Sequence, residues 1–346
     1  MLLREIGEVG FVERISGALK TSSHHVIKGI GDDAAVIRVD VGMVQVITTD
    51  TLVENVDFLR DTIPPEQLGH KALAVSLSDL AAMGARPDHA LVTLCVPERY
   101  TVEYLTAVYD GLRALAGRFG VNILGGDLSA ALHDLVISVT AIGSAREHEV
   151  CYRDGAKAGD AILLVGVIGE SGAGLDTLGP LPRTPAQEGC TIEALPDEVI
   201  ATLRRRHLEP EPLVQEGRWL AQSGKVRAMV DLSDGIGTDL GHIAKASGVG
   251  AVVETSLLPA TPSLRAFLEA TRRDALRYLL YAGEDYALLF TAAESDVATL
   301  TEAFRRRFPT PITRIGTITD GPAVVVRRRD GSVVPLARGF NHFGAT

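Results

Sequence analysis

The sequence predicts a mixed α/β fold divided into two domains. Its 346 residues are 46% hydrophobic, which provides enough apolar material for two ordinary cores. Apolar, β-branched runs alternate with long helical patterns in both halves of the chain. The segment DGAKAGD at residues 154–160 breaks this alternation, and a new apolar strand follows it. We therefore predict one domain over residues 1–152 and a second over residues 153–346.

The first half is predicted to contain an N-terminal helix, three strands and two long helices. Residues 1–19 carry too many charges for a membrane span or a signal-peptide core, and they predict a short amphipathic helix. Strands are predicted at 44–49, 91–96 and 135–142. Helices are predicted at 65–83, ending at Gly84, and at 102–119, ending at Gly120.

The second half repeats this mixture of strands and helices. Apolar runs predict strands at 161–165, 226–230, 286–291 and 312–318. Helical patterns cover residues 236–246 and 297–306. The stretch 179–191 is rich in Pro and Gly and is predicted to be an exposed loop without chemistry.

Charge and cysteine content narrow the possible functions and the compartment. Lys and Arg total 34 against 44 Asp and Glu, so the net charge of −10 offers no basic face for nucleic acid. Cys95, Cys151 and Cys190 are far apart and lack the spacing of a metal site or a redox pair. Reduced thiols in a cytoplasmic protein fit this pattern best, and no membrane association is expected.

The familiar nucleotide-binding signatures are absent. There is no GxxxxGK[ST] loop, no kinase HRD and DFG pair, and no GxGxxG after a strand. The segment GESGAG at 169–174 has glycines but lacks the following lysine and the required spacing. Either a phosphate contact or a plain helix N-terminal turn would account for it.

Acidic residues lie where strands end or where helices are apolar. An ionised carboxylate in such surroundings costs several kcal/mol unless it is paired or binds a metal. Five segments carry these acids: Asp32 and Asp33 after Gly31, Thr48 to Thr51 around Asp50, Asp79 in AVSLSDLAAMGA, Asp127 in GGD, and Asp231 to Asp234 in DLSDG. Asp32 and Asp234 could equally be turn or helix-capping residues.

Divalent cations are the simplest partners for these acids. The basic residues near them are too few to pair them all: Lys28, Arg38, Arg60, Lys71 and Arg86. Carboxylate and hydroxyl oxygens without Cys or His favour a hard ion such as Mg²⁺. Magnesium commonly brings phosphates with it, so the pattern predicts phosphate chemistry.

Seven segments together resemble the thiamine-monophosphate kinase family. They are GDDAAVI (31–37), TTDTLVENVDF (48–58), LGHKALAVSLSDLAAMGARP (68–87), GGD (125–127), DLSDGIGTDLGHIA (231–244), GEDYALLF (283–290) and GFNHF (339–343). The family is similar to aminoimidazole ribonucleotide synthetase, and the SDLAAMGA helix is shared widely among those ATP-binding enzymes. The GEDY and GFNHF segments point more narrowly to the thiamine enzymes.

The resemblance implies an architecture and an activity. The architecture is two α/β domains with mixed sheets, in a homodimer whose N-terminal domains pair sheets across the interface. The activity is in-line transfer of the γ-phosphoryl group of ATP to thiamine monophosphate, assisted by several Mg²⁺ ions. The resemblance leaves a need for K⁺ open.

Site residues are carried over from the family by position. Metal-binding positions correspond to Asp33, Thr48, Thr49, Asp50, Asp79, Asp127, Asp231 and Asp234. Nucleotide contacts correspond to Tyr109, Gly126, Asp127, Arg153 and Ser233, and substrate contacts to Asp57, Glu284 and Phe340. Taken alone, Tyr109 and Phe340 would be packing residues and Arg153 a surface residue.

Three positions depart from the family pattern. Asp57 stands where relatives often have His, Ala282 replaces the first Gly of a common GGED, and Asn341 replaces a frequent acid. Ala282 could alter the backbone freedom of its loop. None of the three belongs to the expected metal set.

The chemistry implied by the resemblance asks for no dedicated proton-abstracting residue. Phosphoryl transfer needs positioning and neutralisation of charge, and a phosphate oxygen of thiamine monophosphate is already largely anionic near neutral pH. The absence of a convincing catalytic His or Lys agrees with this. We interpret His24, His25, His70, His89, His133 and His242 as surface or packing residues.

Two other classes stay open. One is another ATP-dependent synthetase of the same superfamily, such as a purine synthetase, selenophosphate synthetase or a hydrogenase-maturation dehydratase. The last two need a reactive Cys or selenocysteine near a chain end, and neither end of this sequence has one. The other class is a non-catalytic relative that binds magnesium and nucleotide as a sensor or scaffold.

Overall fold

The structure is a computed structural model that describes residues 14–15, 26–28, 36–37, 39–179, 195–337 and 339. The described chain divides into two compact units, and it passes from the first to the second between His148 and Glu149, with Ala81–Gly84 grouped with the second. We call them the N-terminal unit and the C-terminal unit. The predicted N-terminal helix lies outside the described residues except for helical residues 14–15.

The N-terminal unit contains six described strands and two helices. In chain order they are β1 (Val26–Lys28), β2 (Val36–Ile37), β3 (Met43–Val53), α1 (Pro65–Ala82), β4 (Arg86–Pro97), α2 (Val102–Phe119), β5 (Asn122–Ala131) and β6 (Val136–Arg146). Strands β1 and β2 form an antiparallel pair, and the other four form a sheet in the order β3-β6-β4-β5. Only β4 and β5 run parallel within that sheet.

Local signals set the ends of α1 and α2. Helix α2 begins after Thr101, whose side chain accepts a hydrogen bond from the Tyr104 amide, and ends at Gly120 in the left-handed conformation. Helix α1 begins at Pro65, and Gly84 has a φ of 71°. Both predicted helices are therefore confirmed to within one residue at each end.

The four-stranded sheet has one covered and one open face. Ile137, Val139 and Ala141 of β6 are buried, and α1 contacts this face through Ser76, whose hydroxyl oxygen lies 3.2 Å from the Val139 carbonyl oxygen. We call this the covered face. The alternate residues of β3, including Ile47 at 62% exposure, lie on the opposite side, which we call the open face.

The C-terminal unit is built around a seven-stranded mixed sheet. Its elements are β7 (Ala161–Val165), α3 (Glu170–Leu178), α4 (Asp197–Leu208), α5 (Val214–Gln222), β8 (Val226–Asp231), α6 (Ile236–Ser247), β9 (Gly250–Glu254), α7 (Pro262–Thr271), a π-helical turn (Arg277–Tyr281), β10 (Leu288–Ala292), α8 (Glu294–Arg307), β11 (Ile312–Thr319), β12 (Val324–Arg327) and β13 (Val333–Pro335). The strand order is β13-β12-β9-β11-β7-β10-β8, and only β12 and β9 pair in parallel. Strands β7 and β10 are fully buried, which explains their continuous apolar sequence.

In the four-stranded sheet, the strands predicted at 44–49, 91–96 and 135–142 are all longer in the structure, as β3, β4 and β6. Strand β3 pairs with β6 through Val53, so Asp50 lies within the strand and does not end it. Strand β5 continues through Ala131, so Asp127 also lies within a strand. Both are edge strands, which pair with a neighbour on one side only. That pairing was enough to extend each strand through polar residues beyond its apolar run.

Within the described ranges, no helix combines the length and apolar character needed to cross a bilayer.

Candidate functional site

Two aspartates of the N-terminal unit lie side by side on the covered face. Thr48 and Asp50 are two residues apart in β3 and share this face, opposite Ser76 and Asp79 of α1. The Ser76 hydroxyl donates to Asp50 Oδ2 at 2.8 Å, and the Thr48 hydroxyl donates to Asp79 Oδ2. We call these four residues the Asp50 cluster.

The Asp50 cluster favours a bound cation. The pKa of Asp50 is raised to about 6, first by burial and then by the Asp79 carboxylate, while the hydrogen bond from Ser76 lowers it. A divalent cation between the two carboxylates would relieve their repulsion, and the Thr48 hydroxyl adds a hard oxygen. The donor set therefore fits a hard cation such as magnesium.

Other predicted metal and nucleotide residues of the N-terminal unit lie elsewhere. Thr49 is exposed on the open face, although its neighbours Thr48 and Asp50 face α1. Asp127 of β5 is exposed too. Its register partner in β4 is Thr93, which pairs with Ser138 of β6, and Ser138 pairs with Thr51 of β3 on the open face. Asp127 therefore lies on the open face. Three strand spacings, about 14 Å, separate the edge strands β3 and β5. The covered face does not bring Asp127 together with Asp50.

The exposure of Asp127 corrects one premise of the sequence analysis. Asp127 was predicted to lie in apolar surroundings, but in the structure Asp127 and its neighbour Gly126 are exposed to solvent. A solvated carboxylate needs no partner. The buried-charge argument therefore applies to Asp50 and not to Asp127.

The remaining predicted residues of this unit have other surroundings or lie outside the description. Asp33 lies outside the described residues. Tyr109 is buried on α2, and burial raises the pKa of its hydroxyl. Asp57 closes the turn after β3, because its Oδ2 accepts a hydrogen bond from the Val53 amide at 2.8 Å.

The C-terminal unit gathers a second group of acids, Asp231, Asp234 and Asp239, which we call the Asp239 cluster. Asp231 is the buried last residue of β8, and Asp239 is buried in the first turn of α6. Asp239 accepts a hydrogen bond from the Asp234 amide at 3.1 Å. Burial raises the pKa of Asp239 to about 8, as do the Asp231 and Asp234 carboxylates, while Arg153 has the opposite effect.

Metal ligation by these acids needs oxygen from other sources. Across the part of the chain that the structure describes, no three His, Cys, Asp or Glu side chains lie close enough to hold a metal ion by themselves. Mg²⁺ commonly keeps water and binds substrate phosphates in addition to one or two carboxylates. Both clusters fit that partial role.

The GEDY segment forms a strained turn next to the DLSDG segment. Glu284 and Tyr286 have φ values of 61° and 49°, which are uncommon for residues other than glycine. The Glu284 amide donates to the Ser233 carbonyl at 2.7 Å, and the Tyr286 amide donates to the Leu232 carbonyl at 2.9 Å. Two predicted site residues, Ser233 and Glu284, are thereby held together.

Asp285 occupies the N-terminus of α3. Its carboxylate accepts hydrogen bonds from the Gly169 amide at 2.8 Å and from the Ser171 amide at 3.3 Å. Burial raises the pKa of Asp285 to about 8, against the lowering effect of these two amides. The first turn of this helix is therefore already satisfied by a carboxylate of the protein itself.

This arrangement favours the helix-turn interpretation of GESGAG. The segment is a helix N-terminal turn, and its glycines allow close packing. A Cβ at Gly172 would lie 2.5 Å from Ala282 Cβ, and one at Gly174 would lie 2.1 Å from the Leu203 carbonyl oxygen of α4. Ala282 has φ −74° and ψ 134°, an ordinary extended conformation, so its departure from glycine adds no strain.

The C-terminal GFNHF segment reaches this site through Gly339. The Gly339 amide donates to the Thr238 hydroxyl at 2.9 Å, and a Cβ there would lie 2.0 Å from the Asp234 carbonyl oxygen. Phe340 and Asn341 lie outside the described residues.

Three residues of this site escaped the sequence analysis: His207, Asp239 and Asp285. Asp239 follows Asp234 of DLSDG by five residues, at the first turn of a predicted helix, and that spacing was the available signal. Asp285 is part of the GEDY motif, but only the contact with α3 shows its role. His207 had no sequence signal, because its partners come from distant segments.

Comparison with known proteins identifies both units. Residues 31–145 match the family described as AIR synthase related protein, N-terminal domain, and residues 157–329 match the corresponding C-terminal domain. The thiamine-monophosphate kinase of Bacillus subtilis is 35% identical over 92% of this chain and 95% of that protein. These matches span nearly the whole sequence.

Solved structures give the same result. The crystal structure of thiamine-monophosphate kinase from Stenotrophomonas maltophilia is 34% identical, with a TM-score of 0.76 over 95% of this chain and 98% of that one. AaThiL complexed with AMPPCP and TMP is 31% identical, with a TM-score of 0.72 over 98% of each chain. The predicted mixed α/β fold is confirmed.

Proposed function

The chain belongs to the thiamine-monophosphate kinase family, and from this premise we propose that it phosphorylates thiamine monophosphate with ATP. The products are thiamine diphosphate and ADP. The similarity to AaThiL, whose structure contains AMPPCP and TMP, supports this pairing of substrates. A phosphate oxygen of thiamine monophosphate attacks the γ-phosphorus of ATP directly and in line with the leaving ADP.

The Asp50 cluster is the observation that carries this proposal. Asp50 and Asp79 are neighbouring carboxylates in a half-buried position, and their mutual repulsion contributes to the raised pKa of Asp50. Several Mg²⁺ ions, when bound, would neutralise charge on the phosphates. We assign one ion to Thr48, Asp50 and Asp79, and another to Asp231 and Asp234. Asp33, Thr49 and Asp127 complete the proposed metal set. Thr49 and Asp127 lie on the open face and would bind ions other than the one at Asp50.

The substrates are assigned to further residues of both units. We assign nucleotide contacts to Tyr109, Gly126, Asp127, Arg153 and Ser233. Arg153 is exposed, so its guanidinium is available to pair with phosphate oxygens. Thiamine monophosphate is assigned to Asp57, Glu284 and Phe340. Glu284 is well suited to a cationic ring, because its side chain is 29% exposed and its backbone is held in the strained turn.

The assembly and location follow the same family. We propose a homodimer in which the N-terminal units pair through their sheets, residues 1–152 supply the ATP and magnesium sites, and residues 153–346 supply substrate and metal contacts. Cys95 and Cys151 are free thiols, which supports a cytoplasmic location.

A product assay tests the proposal. Purified protein is incubated with Mg-ATP and thiamine monophosphate, and the products are separated by chromatography. We expect equal amounts of thiamine diphosphate and ADP, and no product when EDTA removes the metal. ADP formed only with a purine precursor would support another synthetase of the superfamily. Nucleotide binding in calorimetry without turnover would support a non-catalytic relative.

A further inference from the structure

We infer that His207 of α4 is a positioning residue that holds the Glu284 carboxylate in the orientation that binds the thiamine cation. The inference rests on the proposed function, because it assumes that Glu284 contacts thiamine monophosphate. His207 itself is buried, with 4% exposure, whereas the Glu284 side chain is 29% exposed. Its role is therefore to act through Glu284.

The contacts of the imidazole support this role. His207 Nδ1 lies 3.3 Å from Glu284 Oε2 and 3.1 Å from the Ser171 hydroxyl oxygen. A nitrogen that faces a carboxylate oxygen at this distance carries the proton, since two lone pairs would repel each other. His207 Nδ1 therefore presents its proton toward Glu284, and the Ser171 hydroxyl contacts the same nitrogen.

The Glu284 backbone is already fixed, so its side chain is the part that needs a support. The amides on both sides of Asp285 are bonded to Ser233 and Leu232, and Asp285 itself anchors the turn to α3. A glutamate side chain on this rigid turn still rotates about several bonds. The 3.3 Å contact with His207 Nδ1 restricts that rotation and keeps one carboxylate oxygen in place.

Close packing of two helices brings His207 to this position. Gly174 of α3 lies against Leu203 of α4, where any side chain on residue 174 would overlap the Leu203 carbonyl. His207 follows Leu203 by one helical turn and therefore faces Ser171, near the start of α3. The adjacent Arg206 contacts a different acid, since its Nε donates to Glu170 Oε2 at 3.1 Å.

The test compares two substitutions at His207 in the full-length enzyme. His207→Leu keeps an apolar volume but removes the donor, and we expect the KM for thiamine monophosphate to rise about tenfold. The KM for ATP should stay within about twofold, because the nucleotide residues are elsewhere. His207→Asn places an amide NH₂ near the former Nδ1 position and should restore most of the loss. His133→Leu, at an exposed histidine of the N-terminal unit, is the matched control.

The outcomes separate this inference from the proposed function. A wild-type protein without turnover of thiamine monophosphate overturns both. If wild type is active and Glu284→Gln raises the KM for thiamine monophosphate, but His207→Leu does not, only the role of His207 is wrong. In the double variant His207→Leu/Glu284→Gln, a rise in the KM for thiamine monophosphate equal to the two single effects combined in full also contradicts the role of His207. Coupled residues should give a smaller combined effect.

A spectroscopic measurement covers the case in which His207→Leu does not fold. In ¹⁵N-histidine-labelled wild-type protein, the Nδ1 resonance of His207 should show a protonated nitrogen. Glu284→Gln should shift that resonance, and thiamine monophosphate should shift it only while Glu284 is present. An unchanged resonance in Glu284→Gln overturns the inference.

Discussion

Asp50 in the N-terminal unit and Asp285 in the C-terminal unit are both carboxylates with raised pKa values, about 6 and about 8. Their neighbours differ. Asp50 lies beside a second carboxylate, Asp79, whereas Asp285 accepts hydrogen bonds from two amides at a helix N-terminus. Asp50 therefore has an unmet need for positive charge, and Asp285 has partners that satisfy it.

This difference shows that burial alone does not identify a ligand-binding acid. Burial is the largest cause of the raised pKa at both positions. The two positions differ in the second-largest influence on the pKa, which is a like charge at Asp50 and two opposing amide donors at Asp285. Asp239 resembles Asp50 in this respect, because Asp231 is its second cause. Substitutions at the two positions should therefore affect different properties.

The largest expected effect is on stability, at Asp285. Asp285→Ala removes the acceptor of two buried amides and leaves a small void at the start of α3. We expect the free energy of unfolding to fall by about 3 kcal/mol. Urea denaturation followed by circular dichroism measures this change.

Asp50→Ala is the matched control for that experiment. Its expected loss of stability is below about 1 kcal/mol, because removing Asp50 also removes the repulsion from Asp79. Equal destabilisation by the two substitutions would contradict the distinction between a structural and a ligand-binding acid.

The second effect is on turnover, at Asp50. Asp50→Asn retains the shape and an oxygen that can accept from Ser76, but it lacks the charge that binds a cation. We expect kcat to fall at least tenfold, equivalent to more than about 1.4 kcal/mol of transition-state stabilisation. Steady-state assays over a range of Mg²⁺ concentrations measure it.

Asp127 gives that experiment a second comparison. The family resemblance predicts a similar loss for Asp127→Asn, although Asp127 is exposed and lies on the open face. Near-normal rates for Asp127→Asn alone would restrict the metal site to the covered face. Near-normal rates for Asp50→Asn would refute the assignment of the Asp50 cluster.

The third effect is the pH dependence of stability. The folded-state pKa of Asp285 is raised from 3.8 to about 8, so between these values the native state binds more protons than the unfolded state. The contribution of Asp285 is fully present below about pH 4 and is lost as pH rises toward about 8. Relative to Asp285→Asn, the wild type should lose roughly 1 kcal/mol per pH unit between about pH 6 and 8. Parallel pH profiles for the two proteins would show that Asp285 does not titrate in this range.

Local sequence signals predicted the helices of the N-terminal unit well. Pro65, Thr101, Gly84 and Gly120 mark helix ends through contacts within a few residues, so no distant part of the chain was needed. The strand ends were predicted less well. Strands β3 and β5 extend through polar residues because pairing with a neighbouring strand, and not hydrophobicity alone, decides where a strand stops.

The sequence by itself determined the mixed α/β fold, the family motifs and the placement of acids in or beside apolar segments. Only the tertiary structure decided that Thr48 and Asp50 meet Asp79 while Thr49 lies on the other face, and that Asp285 caps α3. It also brought His207 to Glu284. The physical reason is that helix capping depends on neighbouring residues, whereas sheet register and helix packing join groups far apart in sequence. The partner of a buried charge is therefore known only after the chain has folded.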